Sequence, residues 1–329
     1  MLYKLTPTRV YRTYYGGKNI DRVTGVPQPS ITRYPEDWLA SVTEAFNPGH
    51  EVKGEGLSKT EDGKYLADII AENKSEMIGS DDRMKLLFKM LDSAERLVIQ
   101  VHPTVEFAKK YFNSDYGKTE CWYVLNDGGT VYLGFKPDIT KEYWKELFYK
   151  QDTKAMLDCL HCFNVHKGDM IFIAGGVPHA IGADCFIAEL QEPTDLMVVT
   201  ERVTPSGVKL PDVKLHGGLG FEKMFDCFNY DGMKRTEINE KYFLSPKSLG
   251  NGCELLVGGD VTDKFRLEKL TVSGENEFLV SDYGIALVTN GEGTINGQAA
   301  KIGDRFFVPF AGRKLFCSGN MDILVCFSS

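Results

Sequence analysis

The sequence predicts a mainly β protein with helical insertions, built from two β-barrels of which the second is degenerate. Three observations predict it. Short apolar runs of period two are punctuated by Gly and Asn turns, two stretches of helical spacing interrupt them, and a faint internal repeat joins the halves. At 329 residues the chain has room for two linked domains, and the change of pattern sets them at residues 1–230 and 231–329.

Helical spacing comes first. Between Tyr65 and Leu91 the apolar positions Leu66, Ile69, Ile70, Leu86, Leu87, Met90 and Leu91 recur at three and four, which predicts two helices broken near Gly79-Ser80, an excursion over about 60–93. The pattern then switches to strands. Leu97-Val-Ile-Gln-Val-His ends at Pro103, and Cys121-Trp-Tyr-Val-Leu runs into the turn Asp127-Gly-Gly. Tyr143, Leu147, Met156, Leu157 and Leu160 predict a second helical excursion over 139–163. From Phe265 onward short apolar runs are cut by Gly284, Gly291-Glu-Gly, Asn296-Gly and Gly303-Asp, the pattern of an all-β module.

The repeat links the two halves. Lys167-Gly-Asp-Met-Ile-Phe-Ile-Ala-Gly-Gly-Val-Pro-His179 aligns without gaps on Ile302-Gly-Asp-Arg-Phe-Phe-Val-Pro-Phe-Ala-Gly-Arg-Lys314, and Val124-Leu-Asn-Asp-Gly-Gly-Thr-Val resembles Val288-Thr-Asn-Gly-Glu-Gly-Thr-Ile. Gly-Asp, an apolar strand and a Gly/Pro turn mark a barrel corner, and two copies suggest two barrels. Lys314 stands where the first copy has His179, and Gly284 where it has Glu120, so a metal site is expected only in the first barrel.

Composition excludes some functions. With 26% charged and 43% apolar residues the chain is an ordinary globular protein, and a net charge of -8 works against nucleic-acid or anionic-membrane partners. A small anionic substrate needs only a few local cations. Charges and Pro7 in the opening residues argue against a signal peptide, and no apolar run reaches bilayer length, so a cytoplasmic location is expected. Eight scattered cysteines among apolar neighbours are expected to be reduced and mostly buried. Cys159 and Cys162 have redox or zinc spacing, but they fall in the helical pattern without a second such pair.

Gln100 and His102 lie two apart on one strand and so share a face. Glu120 immediately precedes the next strand, and His179 follows a Gly-Gly-Val-Pro turn that would aim it inward. Two imidazoles, a carboxylate and an amide oxygen suit zinc or another first-row divalent ion, although a strand histidine is more often a hydrogen-bonded structural residue.

A resemblance adds weight to the metal reading. Leu86-Leu-Phe-Lys-Met-Leu-Asp, Leu97-Val-Ile-Gln-Val-His-Pro, Gly117-Lys-Thr-Glu-Cys-Trp-Tyr and Lys167-Gly-Asp through Gly176-Val-Pro-His-Ala resemble, in order and spacing, type I phosphomannose isomerase, the zinc-dependent mannose-6-phosphate isomerase family of the cupin superfamily. Arg12-Thr-Tyr-Tyr-Gly-Gly and Glu36-Asp-Trp are similar to its opening segment, and Gly303-Asp-Arg-Phe-Phe-Val-Pro to its metal-free terminal barrel. The resemblance implies cupin jelly-roll barrels and an isomerase moving a proton between C1 and C2 of a sugar phosphate through a cis-enediol. It gives Gln100, His102, Glu120 and His179 the zinc-ligand roles and Lys118 a substrate contact.

Two departures bear on the substrate. Relatives place an arginine held to be catalytic a few residues after a Thr/Ser-Asp pair, where this chain has Val199, with Arg202 as the nearest replacement. Arg202 is therefore expected either to be catalytic or to be a solvated strand-end residue. The turn Thr204-Pro-Ser-Gly-Val-Lys209 offers Lys209 as its cation for a phosphate. Mannose 6-phosphate is the expected substrate. The alternatives are another sugar, or a sugar-binding regulatory protein without turnover. Glu189, Glu192, Asp195 and Glu201 are the carboxylates from which a catalytic base would come, and sequence does not choose among them.

Overall fold

In the computed structural model, which describes residues 2–328, the chain is mostly β, arranged as three antiparallel sheets. One five-stranded sheet runs through Val198–Val199, Gln100–Val101, His179–Ile181, Thr130–Phe135 and Leu160–Asn164. A seven-stranded sheet runs through Phe243–Leu244, Met170–Ile173, Glu120–Val124, Phe186–Gln191, Leu87–Asp92, Glu36–Leu39 and Arg9–Val10. Their facing side chains, including Leu91, Trp122, Val124, Val131, Leu133, Ile173, Ile181 and Ile187, form one buried cluster. The layers are open sheets packed face to face rather than closed rings.

The seven-stranded sheet is covered on both sides. Trp122 and Val124 point into the first core, whereas Cys121 and Tyr123 join a second cluster with Leu267, Ile285, Leu287, Phe307 and Leu324 from the C-terminal half. Every residue of Glu120–Val124 and of Leu87–Asp92 is therefore buried. This explains one misreading of the sequence. Leu87–Asp92 is a strand rather than a helix, because a strand buried on both faces loses the alternation of period two. The helices before it are shorter than expected, Leu66–Glu72 and Lys74–Ile78, ending at Gly79 with φ of 62°.

The second helical insertion also ends early. Lys141–Lys150 and Thr153–Asp158 are helical, but Leu160–Asn164 is a strand paired with Thr130–Phe135. Cys162 thus sits exposed on a strand, while Cys159 is a buried free thiol beside a helix end. With Asp212–His216 and Phe221–Met224 these helices cover the outer face of the five-stranded sheet, where Trp144, Phe148 and Met156 pack on Val101, Phe135, Ala180 and Val198.

The C-terminal half is an eight-stranded sheet dominated by Phe265–Leu279, Gly284–Ile295 and Lys314–Ser328. Its own core is apolar, with Ala286, Val288, Phe306, Val308, Ile323 and Val325 among its members. The halves exchange strands. Tyr3–Leu5 pairs with Arg305–Val308 in the C-terminal sheet, and Phe243–Leu244 pairs with Met170–Ile173 in the first. Among the described residues no helix is long and apolar enough to cross a membrane.

Candidate metal centre and substrate cavity

Strand alternation builds the site from both layers. In the five-stranded sheet His179 is directly opposite Gln100 and Leu133, and Gln100 is directly opposite Val199, so these four share the inward face. From the seven-stranded sheet Glu120 lies opposite Gln191, Glu189 opposite both Trp122 and Lys89, and Glu36 opposite Leu91. Pairing with the inward residues Trp122 and Leu91 places Glu120, Glu189, Lys89 and Glu36 on one face. A row of charges therefore crosses the interior of the first unit.

His102, Glu120 and His179 come together as a buried group whose ligand atoms lie within 4.8 Å of one another. Nε2 of His102 is 3.3 Å from Glu120 Oε2, and Nε2 of His179 is 3.4 Å from Glu120 Oε1. Nitrogen and oxygen donors about 2.0–2.1 Å from a tetrahedral ion stand ~3.3 Å apart, so these edges have the right length. Each ring has its other nitrogen tied to backbone. Nδ1 of His102 is 2.9 Å from the Leu196 carbonyl, and Nδ1 of His179 is 2.9 Å from that of Val177. A carbonyl only accepts, so Nδ1 carries the proton and the Nε2 lone pairs face Glu120.

The electrostatics fit a cation. Burial lowers both histidine pKa values, that of His179 to about 3, so the imidazoles are neutral, as ligands must be. Burial alone would raise the pKa of Glu120, but Lys118 and the two imidazoles hold it well below the usual carboxylate range. Among the described residues the buried His179 Nε2 has no hydrogen-bond partner, a cost that a ligand bond would remove. The Lys118 ammonium rests 2.6 Å from Glu120 Oε2 and 2.9 Å from His102 Nε2, so positive charge is already stabilised at this point.

A cavity with about 50 Å3 of interior room adjoins this group, and Gln100, Lys118, Glu189, Lys89, Glu36, Arg12, Asp195, Val199 and Lys214 are on its walls. Contacts run through it in sequence. Lys118 lies 3.4 Å from Glu189, Lys89 bridges Glu189 at 3.2 Å and Glu36 at 3.4 Å, and Arg12 joins Glu36 at 3.0 Å to Asp195 at 3.2 Å. Burial raises the Glu189 pKa, and with help from the nearby Glu120 charge it prevails over Lys89 and Lys118 to hold it at about 7. Arg12 and Lys89 keep Glu36 below the usual range despite its burial.

Arg202 is not on the wall of this cavity. It follows the end of the strand Val198–Val199, and its guanidinium lies on the helical side of the sheet, 5.2 Å from the Phe148 ring centroid and 4.6 Å from that of Phe221. Its Nη1 pairs with Asp212 at 2.9 Å. Lys209 is exposed, its backbone bridged to Val203, and it too is absent from the cavity wall. The arginine that does reach the cavity is Arg12, brought there by the segment before the Gly16-Gly17 turn. The sequence motifs include Arg12, Glu36 and Lys89 without giving them a role, and nothing in the sequence singles out Lys214.

Open β layers enclosing a charged cavity and a His/Glu/His group that could hold a metal ion make the fold cupin-like. Comparison with known proteins carries this further. Residues 2–123 match the family model for phosphomannose isomerase type I, catalytic domain. A probable mannose-6-phosphate isomerase of Bacillus subtilis strain 168 is 28% identical over 94% of both chains, and a mannose-6-phosphate isomerase of Streptococcus mutans is 30% identical over 57% of each. Among solved structures, a mannose 6-phosphate isomerase from Bacillus subtilis superposes with a TM-score of 0.78 at 22% identity over 99% of both chains. A phosphomannose isomerase variant from Salmonella typhimurium gives 0.76 at 15% identity over 100% of this chain and 99% of that one. Residues 2–123 are thus similar to that catalytic domain, and along nearly its whole length the chain is similar to mannose-6-phosphate isomerases.

Proposed function

We propose that the protein interconverts mannose 6-phosphate and fructose 6-phosphate through a cis-enediol, with a divalent ion, zinc by the character of its donors, held by Gln100, His102, Glu120 and His179. The observation that carries this is the pair of neutral imidazoles whose Nε2 lone pairs converge on an ionised, buried carboxylate. Bound there, the ion supplies Lewis-acid stabilisation of negative charge on the sugar oxygens. The remaining work falls to the chain's own side chains.

Glu189 is the proton carrier in this reading. It lines the cavity, it is buried, and its pKa near 7 suits a group that must both take a proton from C2 and return it to C1. Lys118 stands 3.4 Å from Glu189 and offsets charge on the enediolate oxygens. Lys89 and Arg12 keep Glu36 and Asp195 ionised and fixed, which holds the wall in one arrangement. The sheets and the helices over them exclude bulk water, so an enediolate would be shielded from side reactions.

The test combines metal analysis with a coupled assay on mannose 6-phosphate. Wild-type protein is expected to carry about one divalent ion per chain and to turn over. Glu120→Ala and His179→Ala are expected to bind metal at least ~10-fold more weakly and to lose turnover in parallel, since removing one of few ligands sharply weakens a site. Full metal retention in both variants would reject the ligand set.

A further inference from the structure

The cavity has one cation more than it has carboxylates on its wall. Arg12, Lys89 and Lys118 each contact a carboxylate, whereas Lys214 has none within ion-pair distance among the described residues. Its Nζ instead donates to the Phe46 carbonyl at 3.1 Å and lies 5.5 Å from the centre of the Phe46 ring. Burial depresses its pKa, opposed by the charge of Asp195. A half-buried ammonium whose acceptor is one neutral carbonyl is under-compensated, and an anion would hold it more strongly.

The segment it touches is itself poised. Between the strand Glu36–Leu39 and the helix Leu66–Glu72 the chain runs through turns and isolated bridges only. Phe46 is 51% exposed, and three contacts fasten this part of the wall: its N–H donates to Asp195 at 3.1 Å, its carbonyl accepts from Lys214, and the next residue, Asn47, accepts from Arg12 at 3.1 Å. Beyond it lies a second cavity of about 320 Å3, and Asp195, Met197 and Lys214 line both. Asn47 lines the inner cavity and Phe46 the outer one, so neighbouring residues of this segment face the two cavities.

We propose that Lys214 is the residue by which this enzyme recognises the phosphate of its substrate: the ammonium leaves the Phe46 carbonyl for the phosphate oxygens as the Phe46 segment moves aside and the two cavities join. No covalent step is involved. The ion-pair chain from Glu120 through Lys118, Glu189, Lys89, Glu36 and Arg12 to Asp195 sets the reacting carbons at one end and the phosphate at the other. This assignment rests on the sugar-phosphate reading above and names the group that gives it specificity. Lys209, the cation the sequence offered for this task, lies outside the cavity.

The experiment is calorimetric binding of mannose 6-phosphate and of unphosphorylated mannose to the metal-loaded protein, with the metal content and melting temperature of each variant measured alongside. Lys214→Met is expected to weaken mannose 6-phosphate binding roughly 10- to 100-fold, the scale of one charge-assisted hydrogen-bonded contact. Mannose binding and metal content should stay unchanged. Lys214→Arg, which keeps the charge and also guards against a folding defect in the Met variant, should recover most of the affinity. Equal weakening for both sugars, no weakening for the phosphate, or no preference for the phosphate in the wild type would each overturn the assignment. Because binding is read apart from turnover, Lys214-dependent phosphate binding without catalysis would reject the isomerase reading while leaving this one standing.

Discussion

The two halves of the molecule share the same strand-and-turn pattern but fill their interiors differently. In the first, Lys89, Lys118, Glu36, Glu120 and Glu189 are buried between the sheets. In the second, the corresponding space holds Ala286, Val288, Phe306, Val308 and Ile323. Lys314, aligned with His179, lies at the surface paired with Glu277 at 3.0 Å, and Gly284 stands in place of Glu120. Burying an ion costs several kcal/mol even after relaxation, and well-packed apolar residues usually stabilise a core as well or better. The second half shows that this architecture does not need charges inside. In the proposed function the first half keeps them for chemistry.

The sharpest way to break that comparison is to neutralise one charge of the first interior without removing a metal ligand. Glu189→Gln is expected to retain metal and fold while turnover falls roughly 10^2- to 10^4-fold, the range for loss of a general base. The sign of the pH effect follows from its state. Glu189 must be ionised to accept a proton, so wild-type kcat/KM should rise as pH passes upward through about 7 and level off above it. For stability the direction is opposite. A carboxyl whose folded pKa is raised favours the fold below its unfolded value and loses that contribution as pH rises through about 7, so Glu189→Gln should gain stability relative to wild type at alkaline pH. Melting curves across pH would show it. A variant of unchanged turnover would move the proton transfer away from Glu189.

A smaller effect is expected at Arg202. Its guanidinium pairs with Asp212 and stacks on aromatic rings of the helical layer, so Arg202→Ala should leave turnover within about twofold and cost at most ~1 kcal/mol of stability, as expected for a half-exposed ion pair and stack. A steady-state assay with a denaturation curve separates the two. A large fall in turnover with an unchanged melting temperature would restore Arg202 to the catalytic group. The smallest effect is expected in the other half. Lys314→His should leave the metal stoichiometry unchanged, because Gly284 supplies no ligand beside it.

Much of this was legible in the residues, and the limits have physical causes. The grouping of His102, Glu120 and His179, with Gln100 directly opposite His179, was legible because strands carry fixed alternation and the repeat offers a copy without these residues for contrast. The strand Leu87–Asp92 reads as helix in the sequence because a strand buried on both faces loses its period-two signature. Arg202 is near Val199 in sequence, but the strand ends at Val199 and the chain beyond it carries the guanidinium to Phe148, Phe221 and Asp212 on the helical side. Arg12 and Lys214 reach the cavity from segments far apart in the chain, through contacts with Asp195 and Phe46 that no local pattern encodes. Glu189 stood among four carboxylates, and only its burial and its place between Lys89 and Lys118 single it out.

The proposed function stands on a divalent ion, held in the first half by Gln100, His102, Glu120 and His179, on which turnover depends. The most direct measurement is metal content and mannose 6-phosphate turnover on the same samples, before and after chelation and after restoring zinc. The account predicts about one ion per chain, loss of turnover on its removal, and recovery when it is restored. Full turnover by metal-free protein would contradict it.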